Sequence, residues 1–193
     1  MPLSTYHQNY ADHSDEEIKK RAHIKEKELC SIFKHVSLKT SSEPVRVAIM
    51  GCGDKRFIGY HKKIFEQVLE RMVEITTFDI TIEHLLGEPL VFQHDCTLPF
   101  PNGFFDITYG HILLKFIETK KQLDVLINSF EALNSGGIAI HVCDWEEIKA
   151  PGPKLSDGLW AVPLGRWKDR LTKLGIEYKE VLLEYGLALV LIK

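Results

Sequence analysis

Apolar positions recur at two different spacings along this chain, and the switches between them mark out its elements. Ile18, Ala22, Leu29, Ile32, Phe33 and Val36 fall on one side of a 3.6-residue wheel, with Lys and Glu filling the other side. Ser14 followed by Glu17 matches a capping box, so the helix is expected to begin there. The polar run 39–44 breaks the pattern and reads as a linker. Val45–Met50 is a short continuous apolar run closed by Gly51-Cys52-Gly53, which predicts a strand buried on both faces and a tight turn. Helical spacing returns over 61–72. Further strands are predicted over 73–78, 90–93, 104–109 and 138–142, with a single helical turn over 81–86. A helix over 120–133 is expected to stop at Ser135-Gly136-Gly137, since glycine commonly follows a helix terminus. Beyond a Pro/Gly-rich loop (150–163) come a helix over 166–174 and strands over 177–184 and 187–192. Their link at Tyr185-Gly186 suits an antiparallel pair.

Buried strands alternating with helices predict an α/β fold, a three-layer α/β/α sandwich. Its seven-stranded sheet is mostly parallel and ends in an antiparallel hairpin. Residues 1–13 read as a loose arm, so that 1–44 form an arm and a covering helix and 45–193 the main domain. The chain's 193 residues and 45% hydrophobic content are those of one globular unit. A net charge of −3 argues against a nucleic-acid binder. No apolar run is long enough to span a membrane, and no secretory signal is visible, so a cytoplasmic protein is expected. Cys30, Cys52, Cys96 and Cys143 lie far apart without a CxxC pair, which gives no metal or redox motif and suggests reduced thiols. The sequence does not indicate an oligomeric state.

In an open α/β sheet the ligand crevice lies beyond the carboxyl ends of the strands. Those ends carry Gly51 and Gly53, then Asp79, then Asp95, then 109–111. Glycines let the backbone approach a ligand closely, and an acid after strand two can accept both hydroxyls of a ribose. An acid after strand three can accept from an exocyclic amine. In this order they form the outline of a nucleoside site. His94, His111 and His141 stand near strand ends, and no carboxylate is spaced to pair with any of them. Asp106, within strand four, reads as a structural hydrogen-bonding residue.

The segments VRVAIMGCGD, TTFDI, QHDCTLPFPNGFFDITYGHILLKFI and EALNSGGIAIHV resemble the successive motifs of Rossmann-like, class I S-adenosylmethionine-dependent methyltransferases, over about residues 45–145. The resemblance implies S-adenosylmethionine as cofactor and methyl transfer, most simply to a small molecule. It implies that Gly51, Cys52 and Gly53 lie against the methionine part, and that Asp79 holds the ribose. Asp95 would accept from the adenine amine, with Ile80 and Cys96 flanking the ring. Tyr109 and Gly110 would line the reactive end, and His111 would be the candidate catalytic residue at the substrate mouth. Where the family has an acid two residues before the first glycine, this chain has Ile49; where it has a third glycine, Lys55. Asp54 is a candidate replacement acid, and Lys55 a candidate contact for the cofactor carboxylate. The altered loop also suits a non-catalytic cofactor-binding regulator. A nicotinamide-dependent oxidoreductase would use a similar loop, but the incomplete glycine fingerprint and the terminal hairpin fit it poorly.

Overall fold

The computed structural model describes His7, residues 12–101 and residues 103–193. The arm expected over 1–13 therefore lies mostly outside the described residues. Helix α1 (Asp15–His35) begins where its capping box puts it: the Ser14 hydroxyl accepts from the Glu17 amide, and the Glu17 carboxylate accepts from the Ser14 amide at 2.7 Å. Strand β1 (Val45–Met50), helix α2 (Arg56–Leu69), strand β2 (Val73–Asp79) and strand β3 (Val91–Gln93) follow, with a 3-10 turn at Glu83–Leu85. Next come β4 (Phe105–His111), α3 (Thr119–Glu131), β5 (Leu133–Asp144) and a short helix α4 (Trp145–Ile148). A two-stranded hairpin, β6 (Lys154–Ser156) and β7 (Leu159–Trp160), precedes α5 (Leu164–Lys173), β8 (Glu177–Leu182) and β9 (Gly186–Ile192).

Seven strands form one sheet in the order β3-β2-β1-β4-β5-β9-β8. The first five are parallel, and β9 runs antiparallel between β5 and β8. Both faces are covered, so the strands bury residues of both parities. Val45, Val47 and Ile49 of β1 enter the core beneath α1 and α2, while Ala48 and Met50 enter the core beneath α3 and α5. The apolar stripe of α1 (Ile18, Ala22, Leu29, Ile32) belongs to the first of these cores. No described helix is long and apolar enough to cross a membrane.

Three local expectations need correction. Helix α2 starts five residues before its clearest periodicity, burying Phe57 and Ile58. Gly136 and Gly137 do not end α3, which stops at Glu131 with Ala132 as its cap. They lie inside β5, where its register against β4 slips, and a Cβ on Gly137 would come within 2.8 Å of the Asp106 carbonyl oxygen. That close strand contact is the role of Gly137, while Gly136 takes φ +79° against Lys39. The loop 150–163 holds the small hairpin β6–β7, which no period in the sequence signals. At the far edge, a Cβ on Gly186 would lie 2.0 Å from the Cys143 carbonyl oxygen, so only glycine lets β9 enter beside β5.

Candidate active site

Strand order reverses between β1 and β4, and the crevice expected at such a point is present. A cavity of about 520 Å³ opens there, walled by Gly51–Gly53 after β1, by His111 at the end of β4, and by Lys25 and Glu28 of α1. Gly51 has φ +77°, and a Cβ on it would lie 3.1 Å from a Leu113 methyl. Its amide continues the β1–β2 ladder to the Phe78 carbonyl at 2.8 Å. The next amide, of Cys52, turns to donate to Asp79 Oδ2 at 2.7 Å. The glycine loop and the acid at the end of β2 are thus one bonded unit.

Asp79 is 4% exposed. Its Oδ1 accepts from the Thr81 amide at 3.2 Å and lies 3.5 Å from His7 Nε2. The Asp79 carbonyl accepts from the His94 amide at 2.8 Å, which sets Asp95 at the same edge of the sheet. Asp95 is partly buried, and its Oδ1 accepts from the Thr97 amide at 2.9 Å. Ile80 beside it is exposed. Cys96 is buried, and burial raises its thiol pKa to about 12, so it packs as a neutral group. None of these four residues is on the cavity wall, and Asp79 reaches it through the Cys52 amide.

The Tyr109 ring packs in the core, edge-on to Phe65 at 5.5 Å, and its buried hydroxyl has no hydrogen-bond partner among the described residues. Gly110 lets β4 pass Met50, whose methyl would lie 3.2 Å from a Cβ there. Neither lines the cavity; His111 does.

Two residues of this wall were missed by sequence reasoning. Glu28 Oε2 lies 2.9 Å from His111 Nε2, a pairing across 83 positions. The expectation that no carboxylate pairs with His111 is therefore wrong. The carboxylate accepts, so the ring donates from Nε2 and leaves Nδ1 to take a proton. Burial and the neighbouring Lys25 charge lower the His111 pKa to about 4, against the opposing pull of Glu28. Lys25 stands between the glycine loop and the rings of Phe57 and Tyr109, its Nζ 5.3 and 5.9 Å from their centroids. Burial lowers its pKa to about 8, and Glu28 partly offsets the shift. The signal was present: 18, 22, 25, 29, 32 and 36 form one ladder, and Lys25 is the charged residue on it. His61, also on the wall, is buried with both ring nitrogens unpartnered among the described residues, and burial holds it neutral.

Other candidates have structural roles. His141 is buried against the Ser129 hydroxyl at 2.8 Å, and burial lowers its pKa to about 3. Asp106 accepts from the Arg46 amide and from Thr40, Ser42 and Asn134 side chains, as a hydrogen-bonding anchor would. Ile49 is buried in the core. Asp54 is not a spare acid, because Arg56 engages both its oxygens, at 2.9 and 2.6 Å. Lys55 is exposed at the start of α2.

No family model matches the chain, and no curated protein matches it. Solved structures do. An S-adenosylmethionine-dependent methyltransferase from Clostridium acetobutylicum is similar over 96% of this chain and 98% of its own, with a TM-score of 0.66 and 10% identity. A sugar N-methyltransferase from Streptoalloteichus sp. is similar over 93% of both chains, with a TM-score of 0.63 and 11% identity. Longer proteins share the fold too. This chain spans 55% of an O-methyltransferase family protein from Burkholderia thailandensis (TM-score 0.60, 10% identity, 86% of this chain). It spans 46% of a pericyclic reaction enzyme (TM-score 0.58, 13% identity, 84% of this chain). Identities this low establish likeness of fold, and one fold hosts several chemistries.

Proposed function

We propose that this chain, whose fold is that of the class I methyltransferases, transfers a methyl group from S-adenosylmethionine to a small-molecule acceptor. The observation that carries the reading is the bond from the Cys52 amide to Asp79. It joins a left-handed glycine turn to the acid after β2, beside a cavity of about 520 Å³. That volume lies within the range of small-ligand sites.

The residues fit the cofactor. At Gly51 a Cβ would be both strained and crowded, which leaves a bare cradle for the methionine end. Lys25 offers its carboxylate a cation where the family's loop acid is replaced by Ile49. Asp79 would accept the ribose hydroxyls in the place where His7 now lies, and Asp95 the adenine amine, between Ile80 and Cys96. Tyr109 and Gly110 fix the end of β4 from which His111 projects. Bound there, S-adenosylmethionine supplies a methyl group already activated by its sulfonium charge. The protein's share is then alignment and management of one proton. His111, neutral at physiological pH, takes at Nδ1 the proton that an acceptor hydroxyl or amine gives up. Glu28 holds Nε2–H in place and offsets the positive charge that forms. The net charge of −3 and a cavity of about 520 Å³ favour a small metabolite over nucleic acid. Four free cysteines, three of them buried, suit a reducing compartment, and we place the protein in the cytoplasm.

Calorimetric titration with S-adenosylmethionine and S-adenosylhomocysteine, beside an Asp79→Ala variant, tests the reading. Binding that the variant loses supports it; binding of a nicotinamide nucleotide instead, or of neither, sinks it. A methyl-release screen across small hydroxyl and amine acceptors then separates the enzyme from a binding protein that never turns over.

A further inference from the structure

At the end of β2, beside the cavity, the carboxylate of Asp79 meets the imidazoles of His7 and His84. One ligand atom from each lies within 4.8 Å of the other two. His7 is 6% exposed and Asp79 4%, with His84 partly buried. The two rings lie 4.2 Å apart, centroid to centroid, and His7 Nε2 is 3.5 Å from Asp79 Oδ1. The carboxylate is held from behind by the Cys52 and Thr81 amides. His84 Nε2 lies 2.6 Å from the Cys52 carbonyl oxygen, which can only accept. That bond fixes the ring proton on Nε2 and leaves the lone pair on Nδ1. Nδ1 is buried and has no hydrogen-bond partner among the described residues. Metal-binding histidines adopt this arrangement, with one ring N–H tied to a backbone carbonyl and the other nitrogen free to ligate.

We propose that His7, Asp79 and His84 form a site for a divalent transition metal of the zinc class. Two imidazoles and one carboxylate are a donor set that zinc takes with a fourth position open, and imidazole disfavours magnesium and calcium. Bonds of about 2.1 Å in a tetrahedron place ligand atoms roughly 3.4 Å apart, so the donors draw in by a little over an ångström at their widest. The sequence shows no such motif because His7 lies 72 positions before Asp79 and His84 only five after it.

The site has a regulatory consequence, which alone rests on the methyltransferase reading. The carboxylate that binds the metal is the one that would accept the ribose hydroxyls. Metal and nucleoside are then alternative occupants of Asp79, and zinc, by holding His7 on it, excludes the cofactor.

The test is calorimetric titration of the chelator-treated full chain with zinc chloride. The visible absorption of a cobalt(II) titration reports the ligand geometry. We expect one ion per chain, with affinity reduced at least about tenfold in both His7→Ala and His84→Ala. The first variant keeps the His84–Cys52 bond, so its loss of binding is not a folding defect. His23→Ala, on the exposed face of α1, is expected to bind as the parent does. Absence of zinc binding, or equal affinity in the parent, His7→Ala and His84→Ala, would overturn the site. S-adenosylhomocysteine titrated with and without saturating zinc then tests exclusion: a rise in its apparent Kd supports it, and an unchanged Kd overturns it. If zinc binds as expected but S-adenosylhomocysteine binds in neither condition, the methyltransferase reading fails while the metal site stands.

Discussion

Gly51 answers two demands with one missing side chain: a φ of +77° and a Leu113 methyl 3.1 Å from where its Cβ would be. Gly51→Ala is expected to lose about 1–2 kcal/mol from the left-handed backbone alone, measurable by urea denaturation. Its affinity for S-adenosylhomocysteine should fall as well, because the added methyl presses on Leu113 and displaces the turn that walls the cavity. Glu28 sits at the other side of the same space and acts through His111. Glu28→Gln keeps the shape and removes the charge that supports a protonated ring. We expect turnover to drop by roughly 10²-fold, the lower end for general-base contributions, with cofactor affinity nearly unchanged. Equal losses in turnover and affinity would mean that Glu28 merely holds the wall together. The placement of Gly51, Asp79 and Asp95 at strand ends was legible in the sequence because periodicity locates the carboxyl end of a strand. Glu28 was not, because its partner is 83 residues away and only the tertiary fold brings them together.

Helix α1 shows how an element can be read correctly in outline and incompletely in purpose. Its start and its apolar stripe follow from local chemistry, and both are where the pattern puts them. Ser14→Ala removes the hydroxyl half of the capping box, leaves the backbone amide on Glu17, and should cost about 1 kcal/mol of stability. Because Ser14 is exposed and not on the cavity wall, equilibrium unfolding should register the change more strongly than S-adenosylhomocysteine binding does. The terminal hairpin was equally plain, since so short a link leaves no room for a crossover. The stretch 135–137 misled because glycine after a helix is also what a strand needs where a Cβ would come within 2.8 Å of a neighbour's carbonyl oxygen. Helix α4 was missed for want of length: four residues capped by Asp144 carry no period to detect.

Across the molecule, buried titratable groups bound the pH range in which the fold is most stable. Burial lowers the pKa of His111 to about 4 and that of His141 to about 3, from an ordinary 6.5. The unfolded chain protonates them first, so their contribution is complete above 6.5 and lost as pH falls towards 4 and below. Glu147 moves the other way. Buried with both oxygens unpartnered among the described residues, it is raised from 4.5 to about 8 by burial and by the Asp144 charge. The folded state keeps that proton, so its contribution is complete below 4.5 and declines as pH rises through 8. Thermal unfolding should therefore show highest stability near about pH 6–7, with a fall on both sides. Glu147→Gln, which cannot titrate, is expected to flatten the alkaline fall and leave the acid one. A variant that still loses stability between about pH 6.5 and 8 as steeply as the parent would assign that fall to other groups.

The cavity takes wall residues from His13, ahead of α1, and from Tyr185, in the turn before β9. During synthesis the pocket thus has no early form, since Tyr185 is translated 172 residues after His13. A ribosome that stalls before Tyr185 releases a fragment missing part of the binding wall as well as the strand that joins β8 to the sheet.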